Sequence, residues 1–433
     1  MNLNVPALAI PQHSPGSPNV LIWVIAALAF AGVILRPFRL PEWIWAVSGA
    51  LLLVATGALS PGDAATGAGK GLDVYLFLTG MMLLAEVARE EGLFDWLAAL
   101  ATLWAKGSAG RLFLLIYIVG AVVTVFLSND ATAVVLTPAV AAAVKSAKVK
   151  QPLPYLLICA FIANAASFVL PISNPANLVI YGNHMPPLMT WLARYLAASV
   201  VSIAVTYWTL RWTQRGALGE TLERDVAAPR LSATSKMAGL AIVMTAVVLL
   251  VASAMNVQLG LPTAVAGIAT TAIVFILARK NPWIVVKDIS WGVIPLVAGL
   301  FILVDALDKT GVIKMIGILL GDAARQSASL TATSAGAIIA FASNLMNNLP
   351  AGLIAASAVQ QAHVPDQVTS AILIGVDLGP NLSITGSLAT ILWLTALRRE
   401  GLSVSFGAFL KIGLLVMPPA LLLSLATVYL SRG

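Results

Sequence analysis

The sequence predicts an all-α polytopic membrane protein, with about ten transmembrane helices and two re-entrant hairpins arranged as two inverted-topology repeats. Three observations carry this. Apolar residues make up 59% of the 433-residue chain and charged residues only 10%, against about 25% charged in a soluble domain. A series of apolar runs approaches the roughly 20 residues that a helix needs to cross the hydrocarbon layer. A pattern of glycine and acid recurs in the two halves at identical offsets. So few charges cannot cover a soluble surface, and a chain in lipid must satisfy its backbone internally, as a helical bundle does.

Reading apolar runs between charged, Pro or Gly breaks gives spans near 20–35, 43–59, 72–88, 153–182, 189–211, 237–255, 260–278, 290–307, 367–397 and 406–430. Two further stretches, 112–144 and 328–361, are interrupted midway by Ser128-Asn129-Asp130 and by Ser343-Asn344 with Asn347-Asn348. Each reads as a hairpin whose tip stops inside the membrane. The organisation is then an irregular lead-in (1–19), N-terminal helices (20–71), a first repeat core (72–211), a charged linker (212–236), connecting helices (237–289), a second repeat core (290–397) and a C-terminal helix (398–433). The lead-in has no basic n-region and contains Pro11, Pro15 and Pro18, so it is expected to stay on the mature chain.

The net charge of +7 comes from Lys and Arg scattered between apolar spans, which excludes a nucleic-acid surface and reads as topology. With both termini on the outer side, nineteen of the 25 Lys and Arg fall in cytoplasmic segments, among them Arg36, Arg89, Lys106, Lys145, Arg211, Arg279, Lys287 and Arg398. Counting each hairpin as two full spans keeps the same parity.

Gly80, Glu86 and Gly92 recur as Gly299, Asp305 and Gly311, and Phe126-Leu127-Ser128-Asn129 recurs as Phe341-Ala342-Ser343-Asn344. Under this topology the two copies cross in opposite directions. Inverted repeats are characteristic of secondary transporters, whose sites form where the repeats meet near the midplane.

The chemistry is expected after each hairpin, in Asn164–Asn177 and Asp377–Ser387. Leu170-Pro171-Ile172-Ser173-Asn174-Pro175-Ala176-Asn177 cannot remain one regular helix, because each proline lacks an N–H and clashes with the preceding turn. The half-helix ends and Asn side chains then offer donors and acceptors to a shared cavity. One such break would read as a proline kink with Ser and Asn joining helices. Four at repeat-related places point to a solute pathway. Glu86, Asp130, Asp305 and Asp377 lie in or beside apolar spans, where a charge costs about 2.5 kcal/mol or more. Asp130 and Asp377, inside the broken regions, are the proton-coupling candidates; Glu86 and Asp305, nearer the edge, read as structural.

Other chemistries find no support. Cys159 is a lone cysteine in an apolar run, and His13, His184 and His363 fall in the lead-in and predicted outer loops, so no metal or cofactor site is expected. Gly67-Ala68-Gly69-Lys70-Gly71 lacks the spacing of a phosphate loop, so the chain is not expected to be an enzyme that hydrolyses ATP.

FIANAASFVLPISNPANLVIYG at 161–182, SNDATAVVLTPAV at 128–140 and SNLMNNLP at 343–350 resemble the arsenite/antimonite efflux permeases of the ion transporter superfamily, and the resemblance covers essentially the whole chain. It implies a protein of the bacterial inner membrane that extrudes arsenite and antimonite in exchange for protons, in some operons with a soluble arsenical-pump ATPase as partner; no motif here marks a docking site for one. Trivalent arsenite is mainly an uncharged trihydroxide near neutral pH, which suits Asn, Ser and Thr rather than Arg or Lys. The expected substrate-binding set is Asn129, Asn164, Ser173, Asn174, Asn177, Asn344, Asn347 and Asn348, with Asp130 and Asp377 carrying protons and membrane lipid as the surrounding partner. A sodium/proton antiporter would use similar groups and stays open, as do a dicarboxylate symporter, disfavoured by Asp130 at a hairpin tip, and a channel.

Overall fold

The computed structural model describes residues 18–223, 230–281 and 283–430. Most of the 1–19 lead-in, with His13, and the middle of the 212–236 linker, with Arg224, lie outside the described residues. Within them the chain is helical, with a single isolated bridge between Ser108 and Thr221.

The first half opens with α1 (Pro18–Leu35), α2 (Glu42–Ala55) and α3 (Pro61–Gly69). It continues through α4 (Leu72–Glu90), α5 (Leu93–Ala105) and α6 (Ala109–Phe126). After a break at Leu127 and Ser128, α7 (Asn129–Ala131) runs through a π turn over Thr132–Leu136 into α8 (Thr137–Ser146). Then come α9 (Leu153–Ala165), α10 (Pro175–Tyr181) and α11 (Leu188–Thr213). Two connecting helices, α12 (Ala233–Ala254) and α13 (Gly260–Ala278), and the short α14 (Trp283–Asp288) lead to the second half. There α15 (Val293–Lys309), α16 (Val312–Gln326), α17 (Ala328–Met346), α18 (Asn348–Ala362), α19 (Asp366–Leu378), α20 (Leu388–Arg399) and α21 (Phe406–Leu430) follow in the order of α4 to α11.

Local chemistry sets many of these ends. Ser60, Ser108, Ser232 and Ser327 each accept a hydrogen bond from the first turn of the helix that follows, satisfying donors that a helix start leaves free. The glycine-rich Gly67–Gly71 segment is no phosphate loop: it ends α3 and turns the chain by 50° into α4.

Six helices, α6, α11, α12, α13, α17 and α21, are individually long and apolar enough to cross a membrane, and the bent α3–α4 pair is a seventh candidate. The other expected spans are met by shorter helices or by the interrupted pairs α9–α10 and α19–α20. The burial pattern is that of a protein in lipid. Leu240, Val243, Met244 and Val247 of α12 and Leu261, Val265, Ile268 and Ile276 of α13 are exposed, while Asn129, Asn164, Asn174, Asn177 and Asp377 are buried. Polar groups in hydrocarbon belong inside the bundle, where they find partners.

The repeated glycines mark equivalent crossings. α4 packs on α13 and α15 on α2. A methyl group on Gly80 would overlap the Thr263 carbonyl, and one on Gly299 the Ala46 backbone. Small residues here let two helices meet backbone to backbone. Gly80→Leu and Gly299→Leu are therefore expected to lower stability by about 1–3 kcal/mol, the usual cost of overpacking. Gly69→Ala, which meets nothing within 4 Å, serves as the control, and thermal unfolding of detergent-purified protein measures all three.

Candidate transport site

The α9–α10 connection shows how a helix can be broken inside the bundle without leaving its backbone unpaired. Pro171 and Pro175 cannot donate to preceding carbonyls. The Asn177 amide replaces the missing donors, bonding the Ser167 carbonyl at 2.9 Å and those of Leu170 and Pro171 at 3.3 Å each. Ser173 Oγ donates to the Val125 carbonyl at 3.0 Å and accepts from Leu170 N, pinning the loop to the end of α6. Asn174 caps α10 by accepting from Ala176 N at 3.0 Å. In the second half Asn344 donates to the carbonyls of Ala340 (2.8 Å) and Gly379 (3.0 Å) and accepts from Ser383 Oγ at 2.7 Å. Asn347 accepts from Leu349 N, and Asn348 N donates to the Gly386 carbonyl at 2.8 Å. The break at Asn347, with φ 73° and ψ 153°, joins α17 to α18.

The two broken connections lock onto each other reciprocally. Asn174 Nδ2 donates to Asp377 Oδ1 at 2.8 Å, and Ser387 Oγ donates to Asn164 Oδ1 at 3.2 Å. In each half the first partner lies at the second-last residue of one half-helix and the second caps the next, ten positions on: Asn164 and Asn174, Asp377 and Ser387. Asn381 and Thr390 complete the uncharged crossing, accepting from Asn164 Nδ2 at 3.1 and 3.4 Å. Asp377 is fully buried, no ion pair reaches it among the described residues, and its Oδ2 has no hydrogen-bond partner.

Four helix starts meet beside this crossing. Asn129 and Asp130 of α7, Pro175 of α10, Asn348 and Leu349 of α18, and Leu388 and Ala389 of α20 line one cavity of about 10 Å³, with Asn174 beside them. That volume holds about one water. No Lys or Arg lines it. The positive ends of the helix dipoles face it, and Asp130, in the first turn of α7, is the one formal charge set against them.

Two openings approach from opposite ends of the half-helices. A vestibule of about 440 Å³ is lined by Leu178 and Val179 of α10, Leu353 and Ala356 of α18, and Asp305 of α15. A narrower pocket of about 70 Å³ reaches Asp130 past Val134 and Val135, Leu392 of α20 and Glu86 of α4. Glu86 and Asp305, which hold the same place in the recurring sequence pattern of glycine and acid, thus stand at different mouths, and both are paired. Glu86 binds Arg89, which also holds Glu90 and, at 3.1 Å, Asp288. Asp305 binds Lys70, while Lys309 pairs with Asp63 at 2.6 Å.

Of the sequence-predicted residues, Asn129, Asp130, Asn174 and Asn348 line the cavity. Asn164, Ser173, Asn177, Asn344, Asn347 and Asp377 stand behind it, holding the broken backbone and the crossing together. Ser383, Asn381 and Thr390 were missed; Ser387 entered only as the end of a broken segment. The ten-residue offset common to the two connections is the signal that would have found Ser387.

A helical bundle with interrupted helices, paired half-helix starts and an opening on either side of a small central cavity with polar groups in its lining defines a multi-pass membrane transporter. The chain belongs to the citrate transporter family CitMHS, whose model matches residues 21–376. Curated relatives include the arsenical pump membrane proteins of Yersinia enterocolitica, 26% identical over 90% of this chain and 93% of that protein, and of Escherichia coli K12, 26% identical over 95% and 98%. Among solved structures the fold is similar to the YdaH transporter of Alcanivorax borkumensis, with TM-score 0.56 and 15% identity over 95% of this chain and 98% of that one. It is also similar to Neisseria gonorrhoeae MtrF, described with antimetabolite efflux pumps, with TM-score 0.54 and 12% identity over 96% and 95%.

Asn177→Ala is expected to destabilise the protein by about 1–3 kcal/mol, because three buried carbonyls lose their donor at once. Thr390→Val removes one 3.4 Å acceptor from Asn164 Nδ2, which keeps Asn381 Oδ1 and the Ala160 carbonyl, and should cost less than about 1.5 kcal/mol. Denaturation in detergent compares the two; equal costs would mean that the Asn177 amide does not hold the break.

Proposed function

We propose that this secondary transporter exports arsenite and antimonite from the bacterial cytoplasm in exchange for protons, by alternating access across the inner membrane. The observation that carries the reading is the central cavity, which gathers Asn129, Asn174 and Asn348 around one carboxylate and no cation. Amides supply both donors and acceptors to an uncharged trihydroxide. Asp130 would repel a di- or tricarboxylate at the same place, so citrate, for which the family is named, fits this cavity poorly. Relatedness to arsenical pump membrane proteins supports the same reading.

In this proposal the N- and C-termini lie on the outer side, the vestibule at Asp305 opens outward and the pocket at Glu86 opens to the cytoplasm. The order of elements in the two halves, and the placing of Glu86 and Asp305 at different mouths, support inverted repeats. Hairpin tips that meet the broken helices at one central cavity support re-entrance. Arsenite is larger than the single water the central cavity holds, so it enters past Glu86 and binds as the α7, α10, α18 and α20 starts separate, while Asn164, Ser173, Asn177, Asn344 and Asn347 hold each broken backbone together. A proton from outside then neutralises Asp130 or Asp377 and permits the return step, so each state is distinguished by what it binds.

Everted membrane vesicles washed free of soluble proteins, and so of any ATPase partner, test the reading. Arsenite uptake should follow an imposed proton gradient, vanish with a protonophore and not respond to sodium. Sodium-triggered proton movement without arsenite flux would make the protein a cation/proton antiporter instead. Asp130→Asn and Asp377→Asn are each expected to reduce gradient-driven uptake at least about tenfold while arsenite counterflow persists; if uptake in both matches the parent, neither acid couples the proton.

A further inference from the structure

The reciprocal crossing has one arm that ends on an ionisable carboxyl and one built only of uncharged groups. At the first, Asn174 does two things with one side chain: its Oδ1 caps α10 through Ala176 N at 3.0 Å, and its Nδ2 donates to Asp377 at 2.8 Å. At the second, Ser387 caps α20 through Thr390 N and donates to Asn164. The half-helix that Asn174 caps begins at the central cavity with Pro175 and, one turn later, presents Leu178 and Val179 to the vestibule. The half-helix that Ser387 caps begins at the same cavity with Leu388 and reaches the opposite pocket at Leu392. Pro175, beside the first cap, also borders the opposite pocket; beyond it, of these two openings, α10 walls only the vestibule, and α20 walls only the pocket at Glu86.

We propose that Asn174 is a positioning residue that carries the charge state of Asp377 to α10, so that protonation frees the wall between the central cavity and the vestibule. The inference rests on the reading that Asp377 takes up a proton. An ionised Asp377 accepts a charge-assisted hydrogen bond, roughly twice as strong as one between neutral groups. The bond holds the Asn174 amide and, through its other end, the first turn of α10. Protonation leaves a neutral acceptor and loosens both. The uncharged crossing cannot change in this way, so only the vestibule side responds, although the two arms are built alike.

Other groups around Asp377 do not compete for this role. Of the elements packed on α19, α17 and α18 and the Gly379–Leu382 turn carry no ionisable side chain. α10 brings Tyr181, bonded to Tyr195 of α11; α9 brings Tyr155 and Cys159; α11 also brings Arg194, paired with Asp366, together with Tyr207 and Arg211, which bond each other; and α21 brings the exposed Lys411. None bonds to Asp377 among the described residues.

The test needs no substrate. In a Cys159→Ser background, Val179→Cys and Leu392→Cys report the two walls through their rates of maleimide labelling in purified, folded protein, each divided by the rate of free cysteine at the same pH because the thiolate is the reacting form. Labelling at Val179→Cys should rise about fivefold as pH falls through the Asp377 titration, the factor that follows from halving a charge-assisted bond; Leu392→Cys should stay flat. Asn174→Ala should label fast at every pH. Asn164→Asp combined with Asp377→Asn moves the titrating group to the other arm, so the pH response should transfer from Val179→Cys to Leu392→Cys. Labelling at Val179→Cys that is flat in the parent, or equally pH-dependent with and without the Asn174 amide, overturns the proposal. A pH response that survives Asp377→Asn overturns it together with the titrating role of Asp377. Absence of arsenite transport, by contrast, would sink the substrate assignment and leave these labelling results standing.

Discussion

Everything near the centre of this protein depends on one constraint: a helix interrupted in hydrocarbon exposes backbone groups that no water can satisfy, at several kcal/mol each. The interruption is useful because it brings helix starts to a cavity, and it is tolerable only because side chains close the gap. Asn177 with its three carbonyls, Ser173 reaching Val125, and Asn344 joining Ala340 to Gly379 answer this need. The concentration of Asn and Ser in these segments is thus first a structural requirement. Solute chemistry falls to the few side chains that remain free to face the cavity.

The same constraint explains why the two halves interlock. A half-helix cap needs its side-chain oxygen for the backbone, but Asn and Ser keep a donor in reserve. Asn174 gives that donor to Asp377 and Ser387 gives its own to Asn164, so each break is completed by the end of the opposite helix. Neither connection is finished without its counterpart. The glycine crossings at Gly80 and Gly299 repeat this logic farther out, where close backbone approach sets the outer helices against α4 and α15.

Much of this was legible in the sequence, for physical reasons that can be named. Composition reveals a membrane bundle because lipid tolerates so few charges, and Pro171 and Pro175 reveal a broken helix because proline removes a donor wherever it sits. Division of labour among the polar residues was less legible. Asn129 and Asn177 are the same residue type in similar apolar surroundings, yet one lines the cavity and the other holds backbone. The difference lies in which way each half-helix faces, which a one-dimensional pattern does not record. Glu86 and Asp305, expected to be structural, each hold a basic residue near a span end, Arg89 for one and Lys70 for the other.

The electrostatic balance of the cavity carries the last step. Four helix starts pointing at one small space would by themselves favour an anion. Here Asp130 stands in the first turn of α7 among those starts. A fixed carboxylate in that position answers the dipoles from within the protein, leaving hydrogen-bonding groups but little net attraction for a second negative charge. The same helix starts that would hold an anion in its absence then favour a neutral hydroxylated solute, and a proton on Asp130 would shift the balance again. On the proposed reading, selectivity and one of the two candidate proton sites meet at Asp130, because both depend on the charge at that point.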